Sequence, residues 1–289
     1  MILYKKGDIM DGILIINKEK NMTSRDVVDI ICHKLDTRKV GHTGTLDPLA
    51  TGVLVVAVNK GVKLVEDITG LDKEYIAEVT IGIKTDTYDI TGNILEEKEE
   101  SINKDDLIKV LDSFKGPYHM TVPIYSAVKV NGKKLYEYAR EGKEVELPTK
   151  DVYINNIELI DLKDNKFTFK CNVSKGTYIR SLINDICNKL GIIGTMSNLT
   201  RTKQGKFSIE DSISLDDASI KNVIPMEQVI DLPIIEVDDY LYNRIKNGNK
   251  LENRYNYPKF AFFYNKKLIA IYIIDPNDSN IIKPKTVFL

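Results

Sequence analysis

Tryptophan is absent from the 289-residue sequence, and cysteine occurs only three times, as Cys32, Cys171 and Cys187. Because this number is odd and no pair has the Cys-x-x-Cys spacing, the sequence argues against a disulfide framework and a zinc site, and it favours a reducing compartment. No apolar run approaches the roughly 20 residues that cross a bilayer, and the opening stretch MILYKKGDIMDG lacks the apolar core of a signal peptide. These absences predict a soluble, cytoplasmic protein with no membrane partner.

Net charge is also nearly absent, because 41 lysines and arginines face 42 aspartates and glutamates. The balance hides one uneven stretch. Between residues 163 and 207, nine basic side chains face only Asp164 and Asp185, which gives a local charge of +7. The nine are Lys163, Lys166, Lys170, Lys175, Arg180, Lys189, Arg201, Lys203 and Lys206. Such a one-signed stretch favours a phosphate-binding face, although an ordinary solvated surface is the alternative.

Strand and helix patterns follow one another without a regular βαβ period, which predicts an α+β protein with a mixed, mainly antiparallel sheet flanked by helices. Buried strands are predicted at GILIIN and VLVVAV, a half-buried strand at KEYIAEVTIGIK, and a hairpin around Asp164-Asn165. Helices are predicted over 23–35, 102–114 and 178–191, the last ended by Gly191. Residues 85–106 are turn-rich and acidic, which predicts a solvated excursion.

The length suits one large domain and one small one. We place the boundary after residue 230, where the pattern changes to a short helix followed by strands. Residues 1–230 are then the larger domain, and residues 231–289 are a small, mostly β appendage. Within the larger domain, residues 123–150 mix tyrosines with lysines around a tight Asn131-Gly132 turn.

The stretch GHTGTLDPLATGVL places one carboxylate, Asp47, in a loop ahead of a buried strand. The stretch is not a phosphate-binding P-loop, because Thr45 follows Gly44 where a lysine is required. His42 and Asp47 alone make a poor metal site. A lone carboxylate can attack or stabilise an oxocarbenium-like sugar carbon, and it can act without a second acid when the leaving group is a pyrimidine base. The simpler alternative is that Asp47 caps a turn beside Pro48.

Several motifs in this sequence closely resemble those of the TruB family of tRNA pseudouridine synthases, in the family's order, from residue 12 to about residue 205. They are GILIINKEKNMTS, GHTGTLDPLATGVL, KEYIAEVTIG, VPIYSAVKVNGKKLYEYAREG, SKGTYIRSL and NLTRTKQGKF. Two details depart from the family pattern. Glu19 follows Lys18 where proline is usual, and the segment before Ser126 keeps one proline, Pro123, where two are usual.

The resemblance implies the pseudouridine synthase fold with a PUA-like C-terminal domain, and isomerisation of uridine to pseudouridine at position 55 in the T arm of tRNA. Asp47 would be the nucleophile, and Arg180 would hold it ionised and aimed. Tyr75 would stack on the flipped uracil and assist removal of the C5 proton. The nucleotide pocket would be lined by His42, Tyr178 and Leu199. Because reactant and product are isomers, no metal or other cofactor is expected.

Each of these side chains also has a simpler interpretation. Tyr75 and Leu199 suit core packing, and Tyr178 suits packing at the start of a helix. Arg180 is placed in the first turn of a helix, where a cation is unfavourable beside the helix dipole. A nearby Asp47 would explain that placement.

The resemblance also identifies residues 123–150 as a thumb-like segment that grips RNA. The candidates for RNA contact are Lys18, Lys129, Lys133, Arg140, Lys175, Arg201 and Lys203, with Lys18 given at most a positioning role. The expected partner is the T-arm stem-loop of tRNA, bound by a monomer without an obligatory protein partner. The rival hypotheses are an RNA-binding protein that helps tRNA fold, which is also an accessory role for the enzyme, and a guide-RNA-dependent relative in a multi-protein particle.

Overall fold

The computed structural model describes residues 10–289, so nine residues of the opening stretch MILYKKGDIMDG lie outside the described part. Nineteen strands and seven α-helices follow within it. The strands are β1 (Gly12–Lys18), β2 (Val40–His42), β3 (Thr51–Val58), β4 (Lys73–Ile81), β5 (Ile83–Thr85), β6 (Ile94–Glu97), β7 (Gly116–Thr121), β8 (Lys129–Val130), β9 (Lys133–Lys134), β10 (Thr149–Lys163), β11 (Lys166–Val173), β12 (Gly194–Gln204), β13 (Phe207–Ser208), β14 (Ile224–Pro225), β15 (Ile234–Glu236), β16 (Leu251–Glu252), β17 (Lys259–Tyr264), β18 (Lys267–Asp275) and β19 (Asp278–Val287). The helices are α1 (Ser24–Lys34), α2 (Val65–Thr69), α3 (Lys104–Asp112), α4 (Leu135–Arg140), α5 (Ile179–Leu190), α6 (Met226–Val229) and α7 (Asp239–Lys246).

A ten-stranded sheet organises the larger part of the chain. Its strand order is β14-β1-β3-β12-β4-β11-β10-β7, with β2 beside β3 and β13 beside β12. The pair β12–β3 is parallel, and the other pairs of this sheet are antiparallel. The predicted α+β fold with a mixed, mainly antiparallel sheet is therefore confirmed.

Strands β1 and β3 are apolar over most of their length, as expected for strands with both faces covered. Leu14, Leu54 and neighbouring side chains pack on one face under the helices. Ile13 and Val53 pack on the other face, against side chains of the C-terminal sheet that include Phe263. The two continuous apolar runs therefore mark the place where the sheet lies between two layers.

The helices begin and end where the local sequence predicts. Thr23 caps α1 by accepting a hydrogen bond from Asp26 N at 3.1 Å, and the Asp26 carboxylate accepts one from Thr23 N at 2.8 Å, which completes a capping box. Helix α5 ends at Gly191, whose left-handed φ of 73° suits glycine. The hairpin at Asp164 and the Asn131-Gly132 turn between β8 and β9 are also present.

Two predictions for residues 73–106 are wrong in part. The strand expected over 73–84 breaks at Gly82, which has a φ of +86° and passes so close to Lys98 O that a Cβ would lie 2.4 Å from it. The region beyond it is not a purely solvated excursion. Strand β6 pairs with β5, Asp89 is 7% exposed, and Ile90 N donates to Met196 O at 2.8 Å.

The C-terminal residues form a second sheet, with the order β15-β17-β18-β19-β16. It has a core of its own, built from Phe260, Phe262, Tyr272 and their neighbours. This confirms a mostly β C-terminal domain, while its boundary at residue 230 stays a prediction. None of the helices within residues 10–289 has the length and apolar character that crossing a bilayer requires.

Candidate active site

The loop between β2 and β3 carries Asp47, and hydrogen bonds from residues outside the loop hold its main chain. Ser24 Oγ donates to Leu46 O at 3.2 Å and accepts from Leu46 N at 2.8 Å. Asn21 N donates to Pro48 O at 2.8 Å. These bonds fix the backbone on both sides of Asp47, so the Asp47 side chain extends into a cavity from a fixed backbone.

The Asp47 carboxylate is held by Arg180. Arg180 Nε lies 2.9 Å from Asp47 Oδ2, and Nη2 lies 3.3 Å from Oδ1, which is a two-point contact. The Asp47 side chain is 35% exposed, whereas that of Arg180 is 6% exposed. Among the hydrogen bonds of residues 10–289, Arg180 provides every one that this carboxylate accepts. The turn-capping alternative for Asp47 therefore does not apply.

Two main-chain oxygens hold the same guanidinium from other directions. Arg180 Nη2 donates to Tyr125 O at 3.0 Å, and Nη1 donates to Thr87 O at 3.1 Å. These contacts explain how a cation is accommodated in the first turn of α5, where the helix dipole disfavours it. They also fix Arg180 independently of Asp47, so the carboxylate docks on a preformed donor.

Asp47 and Arg180 lie in a cavity of about 650 Å³. The other predicted site residues, His42, Tyr75, Tyr178 and Leu199, line the same cavity. Four separate elements thus bring together six side chains that lie up to 157 positions apart in the sequence. A nucleotide-sized opening with one partly exposed carboxylate at its wall can hold a base and a sugar beside that carboxylate.

Tyr75 and Leu199 lie on neighbouring strands, β4 and β12, and are 8% and 5% exposed. Both belong to the apolar core and both reach the cavity. Core packing and a pocket wall are therefore compatible roles for these two side chains. The aromatic face of Tyr75 and the aliphatic Leu199 together make part of the wall apolar, which suits the flat faces of a base.

His42 is the last residue of β2, and Tyr178 is the N-cap residue of α5. Burial lowers the pKa of His42, with a further contribution from Arg201 and Arg25, so the ring is neutral at pH 7. Its Nδ1 accepts from Gly44 N at 3.4 Å, which leaves the proton on Nε2 as a donor. Burial also raises the pKa of the Tyr178 phenol, so this group stays protonated.

Comparison with known proteins identifies the family. The model of the TruB family pseudouridylate synthase N-terminal domain matches residues 33–179. A tRNA pseudouridine synthase B from Clostridium tetani is 44% identical over 85% of this chain and 87% of its own length. One from Bacillus pumilus is 38% identical over 96% of this chain and 98% of its own length. The chain belongs to the TruB family. It is therefore a pseudouridine synthase, an isomerase.

The fold agrees with this membership. A chain in a crystal structure of a Cbf5–Nop10–Gar1 complex matches with a TM-score of 0.74 and 25% identity, over 97% of this chain and 85% of that chain. Because 97% of the present chain is included, the similarity extends beyond the ten-stranded sheet into the C-terminal domain.

Two of the predicted RNA-contact residues, Lys18 and Arg201, are buried in the protein without RNA, and this burial does not favour phosphate contact by either of them. Lys18 is 0% exposed, and its Nζ donates to Met22 O at 2.7 Å and to Glu19 O at 2.8 Å. Arg201 is 1% exposed, and its Nε donates to Val53 O at 2.6 Å. Arg201 Nη2 also donates to Gly44 O at 3.1 Å. Both cations support main chain around the Asp47 loop, and Arg201 also lines the cavity.

The predicted +7 stretch is likewise not one continuous basic face. Lys166 and Lys170 alternate with buried residues of β11 and pair with Glu78 at 2.9 Å and Glu74 at 3.2 Å. Glu74 precedes Tyr75 on β4, and adjacent residues of a strand point to opposite faces. These two lysines therefore lie on the sheet face opposite the cavity, with their charges already paired.

The remaining RNA-contact candidates differ in how far their charged groups are exposed and in whether those groups already have partners in the protein. Lys129, Arg140, Lys175 and Lys203 are exposed. Lys133 is partly buried, and it pairs with Glu141 at 2.5 Å and lies over the Tyr138 ring. Arg140 lies over the Tyr136 ring at 5.3 Å. The thumb-like segment thus presents some cations to solvent and uses others to hold itself together.

Sequence reasoning missed several residues that line or support the cavity. Tyr125, Ser126 and Tyr136 line it, and Thr87 supplies a carbonyl to Arg180. The first three lie in the stretch VPIYSAVKVNGKKLYEYAREG, so the motif itself was the available signal. Thr87 had no signal, because any residue type can offer a main-chain oxygen. Lys150 was missed as well, although it packs on Gly176 at the cavity wall.

Proposed function

We propose that this enzyme isomerises the uridine at position 55 in the T arm of tRNA, using Asp47 as the nucleophile on a flipped-out nucleotide. The observation that carries the proposal is the two-point contact between Arg180 and the partly exposed Asp47 carboxylate in a cavity of about 650 Å³. The tRNA pseudouridine synthase B names of the relatives support tRNA as the substrate.

Substrate entry requires that the uridine leave its stack. Extrusion of a base costs a few kcal/mol, and stacking on an aromatic side chain returns about 1–3 kcal/mol per base. In this proposal Tyr75, which lines the cavity, provides that stacking, and Leu199 provides an apolar surface nearby. The T-arm stem is bound through phosphates and 2′-hydroxyls by exposed cations such as Lys175.

The reaction exchanges one bond to the sugar for another. The bond between C1′ and N1 breaks, the uracil ring turns, and a bond between C1′ and C5 forms. The C5 proton leaves, and N1 gains a proton, so no atom or electron is lost. Asp47 acts on the reacting nucleotide from the position in which its two contacts with Arg180 hold it, and the Tyr75 hydroxyl assists loss of the C5 proton.

The proposal is tested by release of tritium from a T-arm stem-loop labelled at C5 of the target uridine. Wild type releases the label, and Asp47→Asn abolishes release while RNA affinity stays within a few-fold. Asp164→Asn is the matched control, because Asp164 is exposed at the tip of a hairpin with a φ of 52°, which asparagine also adopts. Near-full turnover by Asp47→Asn contradicts the assigned mechanism.

We further propose that the enzyme works in the cytoplasm as a monomer without an obligatory protein partner. The tRNA pseudouridine synthase B relatives, aligned over nearly all of this chain, support this over a particle-bound form. Purified chain and a bare tRNA transcript suffice for the test. Turnover under these conditions supports the proposal, and a requirement for a guide RNA or a second protein contradicts it.

A further inference from the structure

Ser126 has a buried hydroxyl that meets hydrogen-bond geometry with no other group among residues 10–289. The residue is 6% exposed. Within residues 10–289, its Oγ is one of two buried side-chain polar atoms that lack a hydrogen-bond partner, and the other, Asp67 Oδ2, lies near the C-terminal sheet. Buried hydroxyls in proteins are nearly always hydrogen-bonded. An unpaired hydroxyl on the wall of a substrate cavity therefore indicates that the substrate supplies its partner.

The position of this hydroxyl is fixed relative to the nucleophile. Ser126 N donates to Ile124 O at 2.9 Å, and Ser126 O accepts from Tyr136 N at 3.1 Å. The preceding residue, Tyr125, accepts the hydrogen bond from Arg180, which also holds Asp47. Ser126 and Asp47 line the same cavity. One guanidinium thus sets the distance between the Ser126 hydroxyl and the Asp47 carboxylate.

The Tyr178 phenol is a polar neighbour of Ser126. Burial raises the pKa of Tyr178, and the nearby Ser126 hydroxyl acts in the opposite direction. The two oxygens nevertheless do not meet hydrogen-bond geometry, because Ser126 Oγ has no such partner in the described chain. The hydroxyl is therefore free to rotate its proton toward a group that enters the cavity.

We propose that Ser126 Oγ donates a hydrogen bond to a carbonyl oxygen of the extruded uracil. This inference rests on the proposed function. Uracil is nearly symmetric about the line through N3 and C6: when the ring turns about it, C5 takes the place of N1, and the two carbonyls exchange places. A donor that faces one carbonyl before the rotation faces the other afterwards. Ser126 thus holds the base in the interval when no bond joins it to C1′.

The test compares Ser126→Ala with wild type in single-turnover tritium release and in thermal unfolding of the free protein. We expect the release rate constant to fall about five- to tenfold, as for loss of one neutral hydrogen bond. We expect the thermal midpoint of the free protein to be unchanged. Ser181→Ala is the stability control, because Ser181 is similarly buried but its Oγ donates to Thr121 O at 2.8 Å, and its loss lowers the midpoint.

Substrates with 2-thiouridine or 4-thiouridine at the target identify the contacted group, since sulfur accepts hydrogen bonds poorly. One of the two should slow wild type about five- to tenfold more than it slows Ser126→Ala.

The proposal is overturned if Ser126→Ala matches wild type within twofold, if its midpoint falls as that of Ser181→Ala does, or if both thio substrates slow both proteins equally. Absence of release by wild type overturns the proposed function itself, whereas normal release by wild type and Ser126→Ala overturns only the role of Ser126.

Discussion

Arg180 donates from Nη2 to the main-chain oxygen of Tyr125 at 3.0 Å, while the same nitrogen lies 3.3 Å from Asp47 Oδ1. One guanidinium therefore joins the Asp47 carboxylate to the beginning of the thumb-like segment. A planar fork of five donors can satisfy these partners together with Thr87 O, whereas an ammonium group offers three donors around one point. The geometry of the cavity thus depends on arginine at this position.

Replacing Arg180 by lysine should lower kcat/KM by about 100-fold, because two or more charge-assisted hydrogen bonds to Asp47 and the main chain are lost. Steady-state tritium release measures this change. Arg254→Lys is the control, since Arg254 pairs with Glu252 at 2.6 Å on the exposed surface of the C-terminal domain, outside the cavity lining, and should leave kcat/KM unchanged. A kcat/KM for Arg180→Lys within threefold of wild type contradicts the central position given to the guanidinium.

Because Lys18 is buried and Lys175 is exposed, we expect the two lysines to contribute differently to the salt dependence of RNA binding. Lys18→Met should leave the dependence of RNA affinity on salt unchanged, because a fully buried Nζ does not displace counterions from phosphate. Lys175→Met should reduce the slope of log affinity against log salt by about 0.7–0.9, as for one lost phosphate contact. Filter binding of the T-arm stem-loop at several salt concentrations measures both slopes. An equal reduction for the two variants contradicts the burial of Lys18.

The buried Lys18 also predicts a pH dependence of stability. Burial lowers its pKa from 10.5 to about 8, against the opposing effect of Asp47. Between about pH 8 and pH 10.5 the unfolded chain therefore holds a proton that the folded chain has lost, and the free energy of unfolding gains a positive dependence on pH.

Wild type should accordingly gain stability relative to Lys18→Met as the pH rises through that window, by on the order of 1–3 kcal/mol in total. Urea unfolding of the two proteins at several pH values measures the difference. Lys20→Met, which alters an exposed lysine, serves as the control and should run parallel to wild type. A difference between wild type and Lys18→Met that stays constant or shrinks with rising pH rules out the lowered pKa.

Asp67 joins the catalytic domain to the C-terminal sheet. Its carboxylate is largely buried and accepts hydrogen bonds from Lys259 and Lys285. Burial opposes ionisation of Asp67, but the two lysines outweigh it and hold its pKa below the usual range. The stabilisation is therefore present above the pKa of an unfolded aspartate and is lost as the pH falls through the lower folded value.

Asp67→Asn should lower the free energy of unfolding at pH 7 by about 1–3 kcal/mol, with the difference from wild type shrinking toward acidic pH. Asp217→Asn is a matched exposed control, since its carboxylate accepts a hydrogen bond from the nearby Ser214 hydroxyl at 2.6 Å and pairs with no lysine or arginine among residues 10–289. Chemical denaturation at pH 7 and at acidic pH measures the effect. A difference that grows on acidification has the wrong sign for this ion cluster.

The parts of this fold that are local in sequence were predictable. Helix α5 has six apolar residues at helical spacing and a glycine in the left-handed region at its end, so periodicity and capping define it. The alternation in β4 places Tyr75 on the buried face, as predicted. The motif around Asp47 located a loop that lines the cavity, because the residues of the motif are contiguous.

The parts that depend on distant main chain were not predictable. Lys18 and Arg201 look like ordinary surface cations in sequence, and only carbonyls from the Asp47 loop and its neighbours bury them. Thr87 reaches Arg180 through a main-chain oxygen, which no residue type marks. The +7 stretch failed as a surface prediction because strand alternation sends Lys166 and Lys170 to the face opposite the cavity.

The most direct test of the central claim is a crystal structure of Asp47→Asn bound to the T-arm stem-loop. The account predicts that the target uridine lies outside its stack and within the cavity, with its base against Tyr75 and its C1′ as the sugar atom nearest to the side chain of residue 47. A uridine that stays stacked in the RNA, or that binds away from residue 47 and Arg180, contradicts the account.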